Sequence, residues 1–137
     1  MKMKLMSALT LGLALMAVPM LAHHGTSVTY QTDKTISMSG VVTEFSFSYP
    51  HPQLYFDVTG ADGKVVKWGT EWGPTPLMLK NMNVGWTRAS IKPGDKVDVV
   101  CNPHKVATAT ACLMKELTVN GTKMKLGGGG NGKKKEE

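Results

Sequence analysis

From Lys34 to Tyr49 the chain alternates apolar and polar side chains, but the phase of the alternation changes partway. Ile36, Met38 and Val42 fall on one parity, whereas Phe45, Phe47 and Tyr49 fall on the other. Successive side chains of a strand point to opposite faces, so one regular strand cannot turn both sets toward the same core. A single extra residue near Thr43-Glu44 reconciles them. Such a β-bulge bends a strand and lets it wrap around a barrel. Pro50-His51-Pro52 then ends the strand, because two prolines remove ladder donors.

The remaining segments fit the same picture. Leu54, Phe56 and Val58 form the inward face of a second strand that stops at Gly60-Ala61-Asp62-Gly63, a hairpin turn signal. Val66, Trp68, Thr70 and Trp72 share one face of a third strand, with Lys67, Gly69 and Glu71 on the other. Thr75 and Pro76 suit the cap and first position of a short helix over Leu77–Asn83, with Leu77, Met78 and Met82 available to pack and Gly85 to stop it. A turn at Lys92-Pro93-Gly94-Asp95 leads to a fourth strand with Val97, Val99 and Cys101 in phase. A fifth runs from about Thr110 to Val119, and Asn120-Gly121 turns it into a short sixth, Thr122 to Leu126. Three strands, a short helix and two more strands is the order of an OB-type barrel, so the predicted fold class is mainly β with five to six strands. A small sandwich is the competing architecture.

Both ends of the chain are of different composition. Met1-Lys2-Met3-Lys4 is a basic start, Leu5 to Leu21 is apolar, and Ala22 supplies a small residue before a cut, which together read as a secretory signal peptide over residues 1–22. The competing reading is a retained anchor, but an apolar run of roughly 17 residues is short for spanning and no basic stop-transfer run follows. Removing 22 of 137 residues leaves 115, one domain by length, with the barrel at 23–126. The Gly/Lys/Glu tail over 127–137 has no side chains with which to build a core. Without Lys2 and Lys4, 14 Lys and Arg stand against 10 Asp and Glu, about +4, with Arg88 the only arginine. No basic face that implies nucleic acid is present.

Cys101 and Cys112, the only cysteines, flank a Pro-containing loop. In a hairpin centred near Val106 they would face each other on adjacent strands, and an exported chain oxidises such a pair. The alternative is a second metal site from Cys101, His104 and Cys112, whose thiolates favour zinc or cuprous copper but which lacks a fourth ligand.

Cleavage after Ala22 would make His23 the N-terminus, with a free amine and two adjacent imidazoles, His23 and His24. These are nitrogen donors of the type copper prefers. His23 could chelate through its amine and ring while a remote histidine completes a T-shaped brace, or the two rings could hold cuprous copper nearly linearly. His51, stiffened between prolines, is the remote candidate, and Glu71 is a candidate ligand or acceptor for an imidazole N–H. Five of the ten methionines belong to the leader, and the other five are scattered at positions suited to a core.

His23-His24-Gly25 after a leader resembles the His-His-Ser start of a bacterial family of small exported proteins of unknown function. The likeness continues through Gly40-Val41-Val42-Thr43, Tyr49-Pro50-His51 (usually Asn-Pro-His), Tyr55-Phe56-Asp57-Val58, Trp68 with Glu71, Gly85-Trp86 and Ile91-Lys92-Pro93-Gly94-Asp95. It implies a periplasmic or secreted OB-like barrel and transfers no catalytic residue. Tyr49 and the Cys101/Cys112 pair with His104 depart from the family pattern.

The expected function is a non-enzymatic copper-binding protein for storage, delivery or tolerance, with a periplasmic protein as a potential partner and no membrane contact after cleavage. The alternative is an OB-type module that binds a small molecule, glycan or protein through Trp68, Trp72 and Trp86. A copper oxidase or oxygenase built on a histidine brace is the third reading. No Ser-His-Asp, HExxH or phosphate-cradling loop is present, and Gly127–Gly130 lacks the Lys-Ser/Thr and helix of one.

Overall fold

The computed structural model describes residues 25–126. The expected leader, its cut after Ala22, His23, His24 and the tail from Gly127 lie outside the described residues. A single helical turn, α1 (Thr26–Thr29), is followed by β1 (Ile36–Ser46), β2 (Gln53–Thr59), β3 (Val65–Glu71), α2 (Pro76–Asn81), β4 (Lys96–Pro103), β5 (Ala111–Val119) and β6 (Thr122–Lys123). The sheet order is β3-β2-β1-β4-β5-β6, and β3 also pairs with β5 in parallel through Gly69–Ala111, Thr70–Cys112 and Glu71–Leu113. That pairing closes five strands into a barrel and leaves β6 as a short addition. The architecture is therefore OB-like, and closure rules out the sandwich.

The expected bulge is present. Val42 pairs with Phe56 and Glu44 with Tyr55, so Thr43 is the extra residue. Before it, Ile36 and Met38 are partly buried and Val42 is buried; after it, Phe45 and Phe47 pack against the same core. Leu54, Phe56, Trp72, Val97, Val99, Cys101, Cys112 and Leu117 complete the centre of the barrel. Gly40, on β1, lies where a Cβ would come within 2.5 Å of the Asp57 carbonyl oxygen, so no larger residue fits that approach of β1 to β2.

The helix forms where expected but turns a different face inward. Thr75 Oγ1 accepts from the Met78 amide, and Pro76 occupies the first turn. Pro76 and Leu79 are buried, whereas Leu77, Met78 and Met82 are exposed. The stop is made by Asn83 rather than Gly85. Asn83 takes a left-handed conformation with φ 52°, its amide donates to Lys80, and the Val84 amide donates to Leu79. This is a Schellman closure with asparagine in the usual glycine position.

Cys101 and Cys112 are joined by a disulfide with Cα atoms 5.7 Å apart, and both are fully buried. They are diagonal rather than opposed: Cys101 pairs with Met114 and Pro103 with Cys112, and the register shift between Val100 and Cys101 is what brings the two cysteines onto one face. With both sulfurs in the bridge, the second metal site of Cys101, His104 and Cys112 has no thiolates to offer.

At the opposite end from α1, Asp95 accepts from the Lys92 amide at 2.8 Å and from Asn120 Nδ2 at 3.0 Å. Asn120 in turn accepts from the Lys96 amide at 2.9 Å. The Asn120 bond, and then the Lys92 amide, hold the Asp95 carboxyl below its ordinary value of 3.8.

Two outcomes follow from these contacts. Replacing both cysteines by alanine should lower stability by about 2–3 kcal/mol through the 11-residue separation they close, read by urea unfolding; an unchanged midpoint would contradict it. Asp95→Asn should lower the melting temperature at neutral pH. Because the folded pKa is depressed, the Asp95 contribution is present above pH 3.8 and is lost as pH falls through the folded value, so the two melting curves should converge in acid.

Candidate functional site

On β2 and β3 the two faces separate cleanly. Leu54, Phe56 and Thr70 point inward, and Gln53, Tyr55, Gly69 and Glu71 therefore occupy the outer face. Cross-strand pairing sets Gln53 against Glu71 and Tyr55 against Gly69. A Cβ on Gly69 would come within 3.2 Å of the Tyr55 ring, so the ring lies over the glycine and covers backbone that has no side chain of its own.

The segment before β1 crosses this face. Tyr30 forms an isolated bridge to His104, the Gln31 amide donates to the Pro103 carbonyl, the Lys105 amide donates to the Thr29 carbonyl, and Lys105 Nζ reaches the Ser27 carbonyl. These bonds tie residues 27–31 to the β4–β5 hairpin. From there the buried Tyr30 side chain spans the β3–β5 seam and donates its hydroxyl to Glu71 Oε1 at 2.8 Å. Beside it, the Tyr55 hydroxyl donates to Gln53 Oε1 at 2.5 Å. Tyr30, Gln53, Tyr55, Gly69 and Glu71 line a cleft of about 120 Å³, with Ala111 and Cys112 at the seam. Burial, and then the Glu71 carboxylate as hydrogen-bond acceptor and negative charge, push the Tyr30 hydroxyl well above its ordinary 10.0.

The histidines differ in what their nitrogens do. His104 Nδ1 accepts from the Val106 amide at 3.0 Å, and its ring meets Tyr30 edge-on with centroids 5.7 Å apart. An imidazole that accepts through Nδ1 carries its proton on Nε2 when neutral, which leaves no free lone pair for a metal. His51 is half-buried in the β1–β2 loop, and its Nδ1 is buried with no hydrogen-bond partner among the described residues. The loop is fixed by the Trp72 amide, which donates to the Pro52 carbonyl at 3.0 Å. His51 lies two residues before Gln53, the partner of Glu71, so its loop leads into the end of the face that Tyr30 crosses. Among the described residues no three His, Cys, Asp or Glu side chains come together as a metal-binding group.

The aromatic face expected at Trp68, Trp72 and Trp86 is not formed. Trp72 is 1% exposed and Trp86 7%, edge-to-face at 5.5 Å and both packed on Phe45, while Trp68 packs partly buried against the core. Trp86 Nε1 donates to the Lys125 carbonyl. These rings fill the barrel end because Trp68 and Trp72 share the inward parity of β3. Tyr30, Gln53 and Tyr55, absent from the sequence-based set, make the outer-face cleft instead. Tyr55 opposite a mid-strand glycine is a signal that strand pairing could have exposed; Tyr30 lies in a segment without any alternation.

Residues 11–114 match the model of DUF6152, a family of unknown function. No curated protein matches. Two crystal structures of the mitochondrial single-stranded DNA binding protein Rim1 from S. cerevisiae are similar in fold. One has 14% identity and a TM-score of 0.45, with 63% of this chain and 91% of that one covered. The other has 12% and 0.44, with 67% and 97% covered. DNA binding is a property of those proteins; the barrel assignment here stands on strand order and closure.

Tyr30→Phe removes the hydroxyl and keeps the ring. It should cost about 1 kcal/mol near neutral pH, the worth of one such hydrogen bond. The raised Tyr30 value means that the folded state holds its proton more tightly than the unfolded chain. Its contribution is therefore complete below pH 10.0 and declines as pH rises through the folded value. The alkaline fall in stability should be shallower in the variant, as measured by chemical unfolding at stepped pH; equal slopes would contradict the assignment.

Proposed function

We propose, from the premise that the chain belongs to DUF6152, a family of unknown function, and therefore from its own side chains, that it is an exported copper-binding protein of the periplasm. His23, His24 and His51 are the ligands in this reading, and storage, delivery or tolerance is the role. The observation that carries it is the His51 Nδ1 atom, buried and without a partner among the described residues. A buried imidazole nitrogen normally has a hydrogen-bond partner, and a lone pair kept free of one is what a metal ligand requires. Copper suits a donor set of imidazoles and an amine.

Three further features support the reading. The segment that leads back to His24 is fastened to the barrel at Tyr30, whose hydroxyl reaches Glu71, and Glu71 stands across from Gln53 just after the His51 loop. The disulfide is of the kind that persists in an oxidising compartment. His104 is occupied by the Val106 amide and stays outside the ligand set. Glu71, whose Oε1 accepts from Tyr30, serves in this reading as an anchor for the N-terminal segment.

Mass spectrometry of protein purified from the periplasm should give an N-terminus at His23, and titration should show one stoichiometric copper site. His51→Ala and His24→Ala should each remove that site without unfolding the barrel. Binding should weaken as the solution is acidified, since ligands must shed their protons to hold a metal. A mature chain that starts elsewhere, or affinity no greater than that of an unstructured histidine peptide, would sink the reading.

A further inference from the structure

The outer-face cleft has a hydrogen-bonding character of its own. The Tyr30 hydroxyl proton is committed to Glu71 Oε1, and the Tyr55 hydroxyl proton is committed to Gln53 Oε1. Each phenol oxygen then has only lone pairs left to offer, and Glu71 has its second carboxylate oxygen. Three acceptor oxygens and one formal negative charge line the same small space. Among the described residues no Lys or Arg lines it, although the chain as a whole carries +6. A cleft of about 120 Å³ is well below the roughly 300–1,000 Å³ of drug-sized pockets. It has room for a head group of a few atoms.

We infer that this cleft binds the primary ammonium group of a small alkylamine. An ammonium carries three donors and no acceptor, which complements three acceptor oxygens, and its charge complements the carboxylate. The Tyr30 and Tyr55 rings add π surface that favours a cation. A guanidinium is a poorer match, being planar with five donors in a fixed fork. An anion would meet the Glu71 charge and the phenol lone pairs, with the neutral Gln53 amide as a side-chain donor among the described lining residues. A neutral alcohol would satisfy one acceptor where the ammonium satisfies three. The site uses none of the three histidines assigned to copper, so the two proposals stand or fall separately.

The test is a titration of isotopically labelled protein with n-butylammonium chloride, in the presence of EDTA and at fixed ionic strength, followed by amide chemical shifts. Saturable shifts confined to Tyr55, Gly69, Glu71 and Ala111 are expected, with a dissociation constant of about 1–10 mM, as befits a ligand of few atoms. Glu71→Gln keeps an acceptor for the Tyr30 hydroxyl and removes the charge, and should weaken binding at least tenfold. Tyr55→Phe keeps the ring over Gly69 and removes one acceptor, and should weaken it by less. Tetramethylammonium, a cation without N–H donors, should give no saturable shift. Equal binding of tetramethylammonium, undiminished binding by both variants, or shifts that spread over the surface without saturating would each overturn the inference.

Discussion

β1 is hydrogen-bonded along both of its edges, and the barrel depends on that double use. Ile36 to Val41 pair with β4, while Val41 to Ser46 pair with β2, so the two halves of the sheet meet at the middle of one strand. A straight strand of 11 residues could not serve both. The extra residue at Thr43 bends it and resets its phase, so that Val42 before the bulge and Phe45 after it face the same interior. Gly40 serves the same junction by letting the backbone of β2 approach. Once β1 has turned the corner, β3 and β5 are brought alongside and three parallel pairs close the wall. The disulfide and the Asp95–Asn120 contacts then fasten β4 and β5 near their two ends.

Closure also creates the outer surface on which the chemistry is concentrated. β2 and β3 turn their small and polar residues outward, and the β3–β5 seam leaves a gap that no strand covers. Tyr30 lies over that gap, held at one side by the hairpin of His104 and Lys105 and at the other by Glu71. The same hydrogen bonds that fix Tyr30 orient the remaining lone pairs of the cleft. A residue that anchors the N-terminal segment thus also decides what kind of ligand the face accepts. His51 enters from the neighbouring loop with a nitrogen that none of the described residues satisfies.

Much of the fold is legible along the chain because its causes are local. The phase switch between Val42 and Phe45 locates the bulge, since face alternation is a property of each strand by itself. Thr75-Pro76 locates the helix start for the same reason. The helix face was less legible: Leu77, Met78 and Leu79 are all apolar, and only the position of the barrel end selects Leu79. The tryptophans show the converse. Trp68 and Trp72 sit on the inward parity of β3, and the apolar body of an indole fits a core as readily as a binding surface. His51 and Glu71 were recognisable as isolated polar groups, but their neighbours were not. Tyr30 and Glu71 are 41 residues apart and share no sequence pattern.

By itself, then, the sequence determined the alternation of faces, the bulge, the turns and the capped helix, because each is dictated by sterics and hydrogen bonding among near neighbours. It also supplied two cysteines at a spacing that a hairpin can bridge. Tertiary structure decided which remote residues share a surface. It set Tyr30 on Glu71, Tyr55 on Gly69 and Trp72 on Trp86, and it gave His104 a partner while leaving His51 Nδ1 without one among the described residues. The physical reason is closure. Pairing β3 with β5 fixes where the interior ends and which loops meet, and that pairing joins segments about 40 residues apart for which no local pattern codes.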